Sequence, residues 1–172
     1  MTQFFDTHAH YDSGKFNADR DEVLRILSEL TSVSGRFEYV RSADGVTAIV
    51  DYAHTPDALQ NVLRTIDEIR REGQRIYVVV GCGGNRDKSK RSLMGETVAR
   101  KADFSVLTSD NPRFEEPTDI IAEIERGYRR FSVHYVVVPE REKAIYYAVG
   151  LLKKGDVLLV AGKGGEDYQE IM

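Results

Sequence analysis

The sequence predicts an α/β domain with a Rossmann-like, doubly wound and mainly parallel sheet flanked by helices, together with an added N-terminal strand and helix. From about Gly45 onward, short β-branched runs alternate with longer segments whose apolar residues recur at helical spacing. Each short run is almost wholly apolar, as a strand covered on both faces must be. At 172 residues the chain is long enough for one domain with its own core.

Five strands and four helices account for this alternation. The strands are predicted over 46–51, 75–81, 104–109, 133–138 and 156–161, and the helices over 56–72, 92–102, 118–130 and 140–153. The first helix has Thr55 at its N-cap and Pro56 at its first position, and Gly73 marks its end. Ligands in such a fold bind beyond the carboxyl ends of the strands, so the loops there are the first candidates for a site.

Charge and hydropathy exclude several classes of protein. With 24 basic against 28 acidic residues and a net charge of −4, the chain has no basic excess to hold nucleic acid. No apolar run approaches the ~20 residues of a membrane span, and no basic-then-apolar signal region is present. The single cysteine, Cys82, cannot form an internal disulfide. We therefore expect a cytoplasmic protein whose partners are small molecules rather than nucleic acid or a membrane.

The loop after the first predicted strand holds Asp51, Tyr52 and His54 just before a helix N-terminus. A carboxylate, a phenol and an imidazole beside unpaired backbone N–H groups could surround a ribose and a phosphate. Alternatively, Asp51 caps the turn while the two rings pack locally. The residues alone leave both interpretations open.

The loop after the second predicted strand, residues 81–91, combines three glycines with four cations. Glycines let the backbone turn sharply and present N–H groups to an anion, although a run of Lys and Arg is usually a solvated face. The spacing of a Walker A loop is absent. The combination favours an anionic ligand at this loop.

The loops after the third and fifth predicted strands offer complementary charges. Asn111 and Arg113 flank Pro112, which places an amide and a guanidinium fork in a stiff loop suited to a carboxylate, unless the loop is only a proline-stiffened turn. Glu166 and Asp167 follow a glycine-rich segment and could receive an ammonium group, unless that segment is only a flexible turn. No Ser/His/Asp or Cys/His arrangement occurs in the sequence, so no catalytic residue is assigned.

Taken together, the loop sequences match a known family. Five motifs occur in order: GRFE at 35–38, DYAHTPDAL at 51–59, GCGGNRDKSKRSLMG at 81–95, TSDNPRFEEP at 108–117 and VAGKGGEDYQ at 160–169. Over about residues 33–172 the sequence resembles the C-terminal domain of the MurE type of Mur ligase. Ligases of this type use ATP to activate a substrate carboxylate as an acyl phosphate, which an incoming amine attacks. They add meso-diaminopimelate to UDP-N-acetylmuramoyl-L-alanyl-D-glutamate in peptidoglycan synthesis.

The resemblance implies an amino-acid site. Asn111 and Arg113 of the DNPR motif would hold the carboxylate of the distal stereocentre of diaminopimelate. Arg86, Gly162 and Glu166 would complete the pocket. These roles agree with the chemistry of the residues, since guanidinium groups suit carboxylates and a carboxylate suits an ammonium group.

The resemblance also implies contact with ATP. Arg36 of the GRFE motif would reach the phosphates, while Asp51, Tyr52 and His54 would line the ribose and base side of the nucleotide. In the family, Mg²⁺ accompanies ATP and is held by a central ATPase domain that also carries the P-loop. That domain has no counterpart in this sequence, so we expect a domain that is inactive alone.

The sequence departs from the family pattern at two motif positions. Gly165 stands where the family usually has histidine, which removes an imidazole near the amino-acid pocket. Ser92 stands where proline usually follows the Lys-Arg pair. The chain also ends at Met172, before the last helix of the family domain, and is therefore interpreted as a fragment.

The first 30 residues resemble a different family. The segment FFDTHAHYD at 4–12, followed by an amphipathic stretch, is similar to the opening strand and helix of TatD-type metal-dependent deoxyribonucleases. There the two histidines matched by His8 and His10 bind a divalent metal, and a spacing of two places both imidazoles on one face of a strand. The remaining ligands have no counterpart in the sequence. We interpret His8 and His10 as remnants.

These resemblances divide the chain into residues 1–32 and residues 33–172. We expect a chimera in which the leader covers apolar surface of the Mur-type domain. Three functions remain open: a ligand-binding remnant of a diaminopimelate-adding ligase, a purely structural chimera, and a metal-binding hydrolase using His8 and His10. An exposed sheet edge also makes a homodimer formed by strand exchange plausible.

Overall fold

The computed structural model describes residues 35–43 and 45–171, so the predicted leader strand and helix, His8 and His10 lie outside the described residues. The strands are β1 Glu38–Arg41, β2 Thr47–Asp51, β3 Ile76–Val80, β4 Phe104–Leu107, β5 Tyr135–Val137 and β6 Val157–Ala161. The helices are α1 Pro56–Ile69, α2 Ser89–Ala99, α3 Pro117–Tyr128 and α4 Arg141–Leu151. No helix among these residues is both long and apolar enough to cross a membrane.

The strands form one six-stranded sheet in the order β1-β2-β6-β3-β4-β5. The pairings from β2 to β5 are parallel, and β1 pairs antiparallel with β2. The predicted α/β class, with its mainly parallel sheet flanked by helices, is confirmed.

The direction of the crossovers explains which face each helix covers. From β2 the chain moves to β3, β4 and β5 in one direction across the sheet, and then returns to place β6 between β2 and β3. Because βαβ crossovers are right-handed, α1, α2 and α3 lie on one face and α4 on the other. The strand residues divide accordingly: Val78 and Val80 pack with the three-helix face, whereas Tyr77 and Val79 pack towards α4.

Helix α1 begins as its sequence predicts. The Thr55 Oγ1 accepts a hydrogen bond from the Ala58 N–H at 3.2 Å, and Pro56 occupies the first helical position. The helix ends at Ile69, three residues before the predicted end, because Arg70 adopts an extended conformation. Gly73 lies in the turn that follows, with φ of +84°.

Strand β1 and the start of helix α2 also differ from the sequence-based prediction. Strand β1 was not predicted, because three of its four residues are exposed and its sequence shows no alternation of apolar and polar residues. Helix α2 begins at Ser89 rather than at the predicted Ser92, which brings Arg91 into its first turn. Arg91 is fully buried. The last residues of the predicted cationic loop therefore belong to helix α2, and Arg91 belongs to the buried interior.

Candidate functional site

The site is built where the loop after β4 meets the segment after β6 at the carboxyl edge of the sheet. The Lys163 Nζ lies 2.9 Å from the Asn111 Oδ1 and 3.2 Å from the Glu166 Oε2. The Asn111 Nδ2 donates to the same Glu166 oxygen at 3.3 Å. We call these three residues the Lys163 cluster; they bring an ammonium, an amide and a carboxylate into mutual contact.

Electrostatics keep the Glu166 carboxylate ionised. Burial alone would raise the pKa of Glu166, but hydrogen bonding and charge attraction from Lys163 outweigh it, with further hydrogen bonds from Asn111 and Tyr52, so the pKa is lowered. The pKa of Tyr52 is raised, first by burial and then by the neighbouring negative charge of Glu166. The site therefore holds a fixed anion beside a neutral phenol at neutral pH.

Arg113 is held between three segments of the chain. Its Nε lies 2.7 Å from the Glu170 Oε2, and its Nη1 donates to the Gly84 carbonyl at 3.0 Å. Its backbone has φ of +54°, and its N–H donates to the Glu170 carbonyl at 3.1 Å. The residues that follow Glu166 thus run alongside the DNPR loop and fix the guanidinium next to Asn111.

Two glycines are required for the loops to approach this closely. A Cβ at Gly84 would lie 1.9 Å from the Pro112 carbonyl oxygen, and one at Gly162 would lie 2.6 Å from the Asp110 Oδ2. Gly162 also has φ of +112°. Neither position accommodates a side chain without moving a loop, so Gly162 contributes to the site through close backbone packing.

A second buried ionic group lies beneath the loop that follows β3. Arg91 forms ion pairs with Glu115 (Nη2 to Oε1, 2.9 Å) and Glu123 (Nη1 to Oε2, 3.3 Å), and we call these three residues the Arg91 cluster. Glu115 also accepts a hydrogen bond from the Asn85 N–H. Hydrogen bonds from Arg91, Asn85 and Lys88 lower the pKa of Glu115 to about 2.

The anion-binding role predicted for the four cations in residues 81–91 stays a prediction, and the structure shows which of them also have partners within the domain. Arg91 and Lys88 pair with Glu115, and the Lys90 Nζ donates to the His54 carbonyl at 2.9 Å. Arg86 is exposed on the loop next to Gly83 and does not contact the Lys163 cluster. Arg91, Lys88 and Lys90 are thus engaged within the domain, although Lys88 is exposed like Arg86.

Of the residues predicted to contact nucleotide, Asp51 is the last residue of β2, Tyr52 and His54 follow it, and Arg36 lies just before β1. The Asp51 carboxylate is 2% exposed and accepts hydrogen bonds from the Phe37 and Ala53 N–H groups, each at 2.8 Å. His54 packs edge-on against Tyr52, with ring centroids 4.8 Å apart. This geometry matches the alternative in which Asp51 caps the turn and the rings pack locally, so contact of Asp51 with nucleotide stays a prediction.

One open cavity of about 450 Å³ borders the predicted nucleotide side and, of the residues predicted for the amino-acid site, Glu166. Its lining includes Arg36 and Tyr52 from the predicted nucleotide side and Lys163 and Glu166 from the Lys163 cluster. The Arg36 guanidinium lies 5.6 Å from the centre of the Tyr52 ring. A ligand in this cavity would contact both groups of residues at once.

The described residues contain no group of three His, Cys, Asp or Glu side chains that could hold a metal ion. We therefore assign no metal-binding residue in this part of the chain, and the histidines of the leader lie outside it.

Sequence reasoning missed three residues that shape the site: Lys163, Glu170 and Arg91. Lys163 was passed over because it lies between glycines that suggested only a flexible turn. Glu170 falls just after the last motif, and Arg91 was counted among exposed cations. Only Glu115 and Glu123, two and ten residues beyond the DNPR motif, offered a sequence signal, since a buried arginine needs carboxylate partners.

Comparison with known proteins identifies the family of this domain. The family model described as Mur ligase, glutamate ligase domain, matches residues 35–164. A UDP-N-acetylmuramoyl-L-alanyl-D-glutamate–2,6-diaminopimelate ligase of Parabacteroides distasonis is 56% identical over 154 residues, covering 89% of this chain and 32% of the relative. The homologous ligase of Geobacillus thermodenitrificans is 47% identical over 149 residues, covering 87% of this chain and 30% of the relative.

Solved structures show the same relationship. A structure of a UDP-N-acetylmuramoyl-L-alanyl-D-glutamate–2,6-diaminopimelate ligase superposes with a TM-score of 0.73 at 38% identity, covering 89% of this chain and 31% of that protein. The UDP-N-acetylmuramate-alanine ligase of Thermotoga maritima, at 24% identity and a TM-score of 0.61, shares the fold over 91% of this chain and 32% of its own. The chain thus spans about a third of the length of the relatives it matches. It belongs to the Mur ligase family, as a glutamate ligase domain.

Proposed function

We propose that residues 33–172 form the amino-acid- and ATP-contacting domain of a MurE-type ligase that adds meso-diaminopimelate to UDP-N-acetylmuramoyl-L-alanyl-D-glutamate in peptidoglycan synthesis. The observation that carries this proposal is the Lys163 cluster, in which an amide donor and a carboxylate lie 3.3 Å apart. An amino-acid group presents a carboxylate and an ammonium on one carbon. The Asn111 amide can donate to such a carboxylate and the Glu166 carboxylate can accept from such an ammonium group, so the adjacent pair matches that pattern.

Each side chain has a separate task in this proposal. Asn111 and Arg113 donate hydrogen bonds to a carboxylate of diaminopimelate, and Glu166 accepts from its ammonium group. Gly162 lets the backbone approach, and Arg86 reaches the ligand from the exposed loop. The relatives with the printed diaminopimelate ligase name support this choice of amino acid.

ATP, when bound, supplies the phosphoryl group that activates the carboxylate of the acceptor. The residues on this side of the cavity suit part of that ligand, because Arg36 offers a guanidinium for phosphate and Tyr52 an aromatic face. His54 lies next to the Tyr52 ring and would contact the nucleotide from the same side. These residues position and neutralise ATP, whereas the P-loop and Mg²⁺ ligands would come from the central ATPase domain of such a ligase.

We expect this chain to bind its amino acid weakly and to have no ATP turnover. Partner domains would desolvate the ligand and add contacts, so the affinity of one domain alone is expected to be about millimolar. Steady ATP hydrolysis by the purified chain would contradict the proposed loss of catalysis.

Titration with meso-diaminopimelate, followed by NMR, tests the amino-acid site. We expect saturable shifts at Asn111 and its neighbours in the wild type and their loss in Arg113→Met. Arg64→Met is the matched control, because the Arg64 side chain is 65% exposed on α1 and far from the site. No saturable shifts in the wild type, or equal binding by Arg113→Met, would overturn the proposal.

We also propose that residues 1–32 are a TatD-like leader that covers apolar surface of the domain. Helix α4 is the sole described helix on its face of the sheet, and it leaves Tyr146 70% and Val149 50% exposed. The leader carries apolar Val23, Leu24 and Leu27 at helical spacing. Deleting residues 1–30 should lower the Tm, and an unchanged Tm would contradict this arrangement.

A further inference from the structure

The segment that follows β6 returns to the loop after β4 through residues 169–171, which we call the strap. The Gln169 Nε2 donates to the Ser109 Oγ at 3.1 Å and to the Asp110 carbonyl. The Glu170 N–H donates to the Asn111 Oδ1 at 2.9 Å. The strap is thus hydrogen-bonded to successive residues of the loop that it runs beside.

Glu170 contacts both residues that the proposed function assigns to a ligand carboxylate. Its N–H takes the Asn111 oxygen, and its Oε2 lies 2.7 Å from the Arg113 Nε. The Arg113 N–H donates in turn to the Glu170 carbonyl at 3.1 Å. Neither Asn111 nor Arg113 lines the 450 Å³ cavity, and Asn111 is only 6% exposed. With the strap in place, a ligand has little access to this pair.

The Glu170 carboxylate also occupies the edge of the Arg113 guanidinium that a ligand would use. The Arg113 Nη1 already donates to the Gly84 carbonyl at 3.0 Å and to the Asn111 carbonyl at 3.4 Å. A bidentate carboxylate needs two neighbouring N–H groups, so the edge formed by Nε and Nη2 is the one that remains. Because Glu170 lies on that Nε, its carboxylate and a ligand carboxylate compete for one position.

The strap is held by polar contacts and buries little apolar surface. Tyr168, just before it, is 53% exposed, and Ile171 is 72% exposed. The side chains of Arg113 and Glu170 are 19% and 35% exposed, so solvent weakens their ion pair. A segment held in this way can open locally while the sheet stays folded.

We infer that the strap is an autoinhibitory contact, in which the Glu170 carboxylate stands in for a ligand carboxylate at Arg113 and must leave before the amino acid binds. The inference rests on the proposed function for the role of Arg113 and for the identity of the amino acid. It adds an internal competitor, which lowers the affinity of the site for every ligand that binds Arg113 through a carboxylate.

The affinity for meso-diaminopimelate tests the competition. Glu170→Gln keeps the size of the side chain and removes its charge, so the affinity should rise about fivefold, as expected for the loss of a partly exposed ion pair. Glu72→Gln is the matched control and should bind like the wild type, because Glu72 is exposed in the turn before β3, at the opposite edge of the sheet. Unchanged affinity in Glu170→Gln would overturn the inference. Weaker binding would also overturn it, since Glu170 would then orient Arg113 for the ligand.

Pimelate has both carboxylates of diaminopimelate and neither amino group, so it separates this inference from the proposed function. The Arg113 Nε–H signal in NMR spectra should respond to pimelate at lower concentration in Glu170→Gln than in the wild type or Glu72→Gln. No response in Glu170→Gln, or the same response in all three proteins, would refute the strap. If pimelate shows this difference while meso-diaminopimelate binds none of them, the proposed function fails and the strap stands. If meso-diaminopimelate binds the wild type and Glu170→Gln equally, the strap fails and the proposed function stands.

Discussion

The Arg91 cluster and the Lys163 cluster place similar groups in similar positions, yet only one of them borders the cavity. Each holds a cation between a carboxylate and the loops at the carboxyl edge of the sheet. The Arg91 side chain is completely buried, whereas the Lys163 side chain is 9% exposed and its partner Glu166 is 23% exposed. Lys163 and Glu166 line the 450 Å³ cavity, whereas no residue of the Arg91 cluster does.

The difference lies in access to the cavity. Arg91 is surrounded by Glu115, Glu123 and the Gly83 carbonyl, and the group ties the loop after β3 to the start of α3. Glu166, in contrast, lines the cavity with its side chain 23% exposed, so its carboxylate can still accept a hydrogen bond from a ligand. A buried cation by itself therefore indicates a structural role. A buried cation whose partner lines a cavity indicates a role in ligand binding.

The largest expected effect is the loss of the Arg91 charge. Arg91→Met keeps the apolar stem, removes the ion pair with Glu123 and leaves Glu115 paired only with the exposed Lys88. Because breaking a buried ion pair strands a charge, we expect a loss of about 3 kcal/mol in the free energy of unfolding, or a fall in Tm of roughly 6–12 °C. Thermal unfolding followed by circular dichroism measures this. A Tm within a degree of the wild type would mean that the cluster is not structural.

Acid sensitivity should also trace to the Arg91 cluster. The pKa of Glu115 is about 2 in the folded chain against an ordinary 4.5, through hydrogen bonds from Arg91, Asn85 and Lys88. Its stabilisation is therefore fully present above about pH 4.5 and is lost as the pH falls towards 2.

Comparing Glu115→Gln with the wild type across this range tests the assignment. The Tm of the wild type should fall more steeply between pH 4.5 and 2 than that of Glu115→Gln. Glu116→Gln, one residue along and exposed, is the control and should retain the wild-type slope. Parallel curves for Glu115→Gln and the wild type would contradict the lowered pKa.

Removing Lys163 should affect stability less than removing Arg91. Lys163→Met leaves Glu166 at the rim of the cavity, where water can replace the lost donor, so we expect a loss of about 1 kcal/mol in the free energy of unfolding. Chemical denaturation provides the value. A loss as large as that of Arg91→Met would erase the distinction between the two clusters.

The smallest effect is expected at an exposed ion pair. Arg64 and Glu68 on α1 lie 3.9 Å apart, with side chains 65% and 58% exposed. Arg64→Met should change the Tm by no more than about 1 °C, because solvent screens the pair. A larger fall would show that pairing rather than burial sets the size of these effects.

Local sequence patterns predicted most of the fold. The apolar runs located β2 to β6, and the Thr55-Pro56 pair located the start of α1. Strand β1 was missed because it is held by pairing with β2 and not by burial of its own side chains. The start of α2 was missed because Ser89, Lys90 and Arg91 read as a polar loop.

The candidate site was predicted less completely. Motifs named Asn111, Arg113 and Glu166, and the structure brings all three together. Arg86, named with them, lies exposed on its loop. No local pattern indicated that Lys163 and Glu170 would both meet the Asn111 oxygen.

The sequence by itself determined the order of strands and helices, the loops that carry the polar residues and the family of the chain. The tertiary structure decided which cation each carboxylate meets. Arg91 finds Glu115 across 24 residues and Lys163 finds Asn111 across 52, whereas periodicity relates only residues within one element. Whether a charge is structural or available to a ligand depends on such distant partners and on the water they exclude.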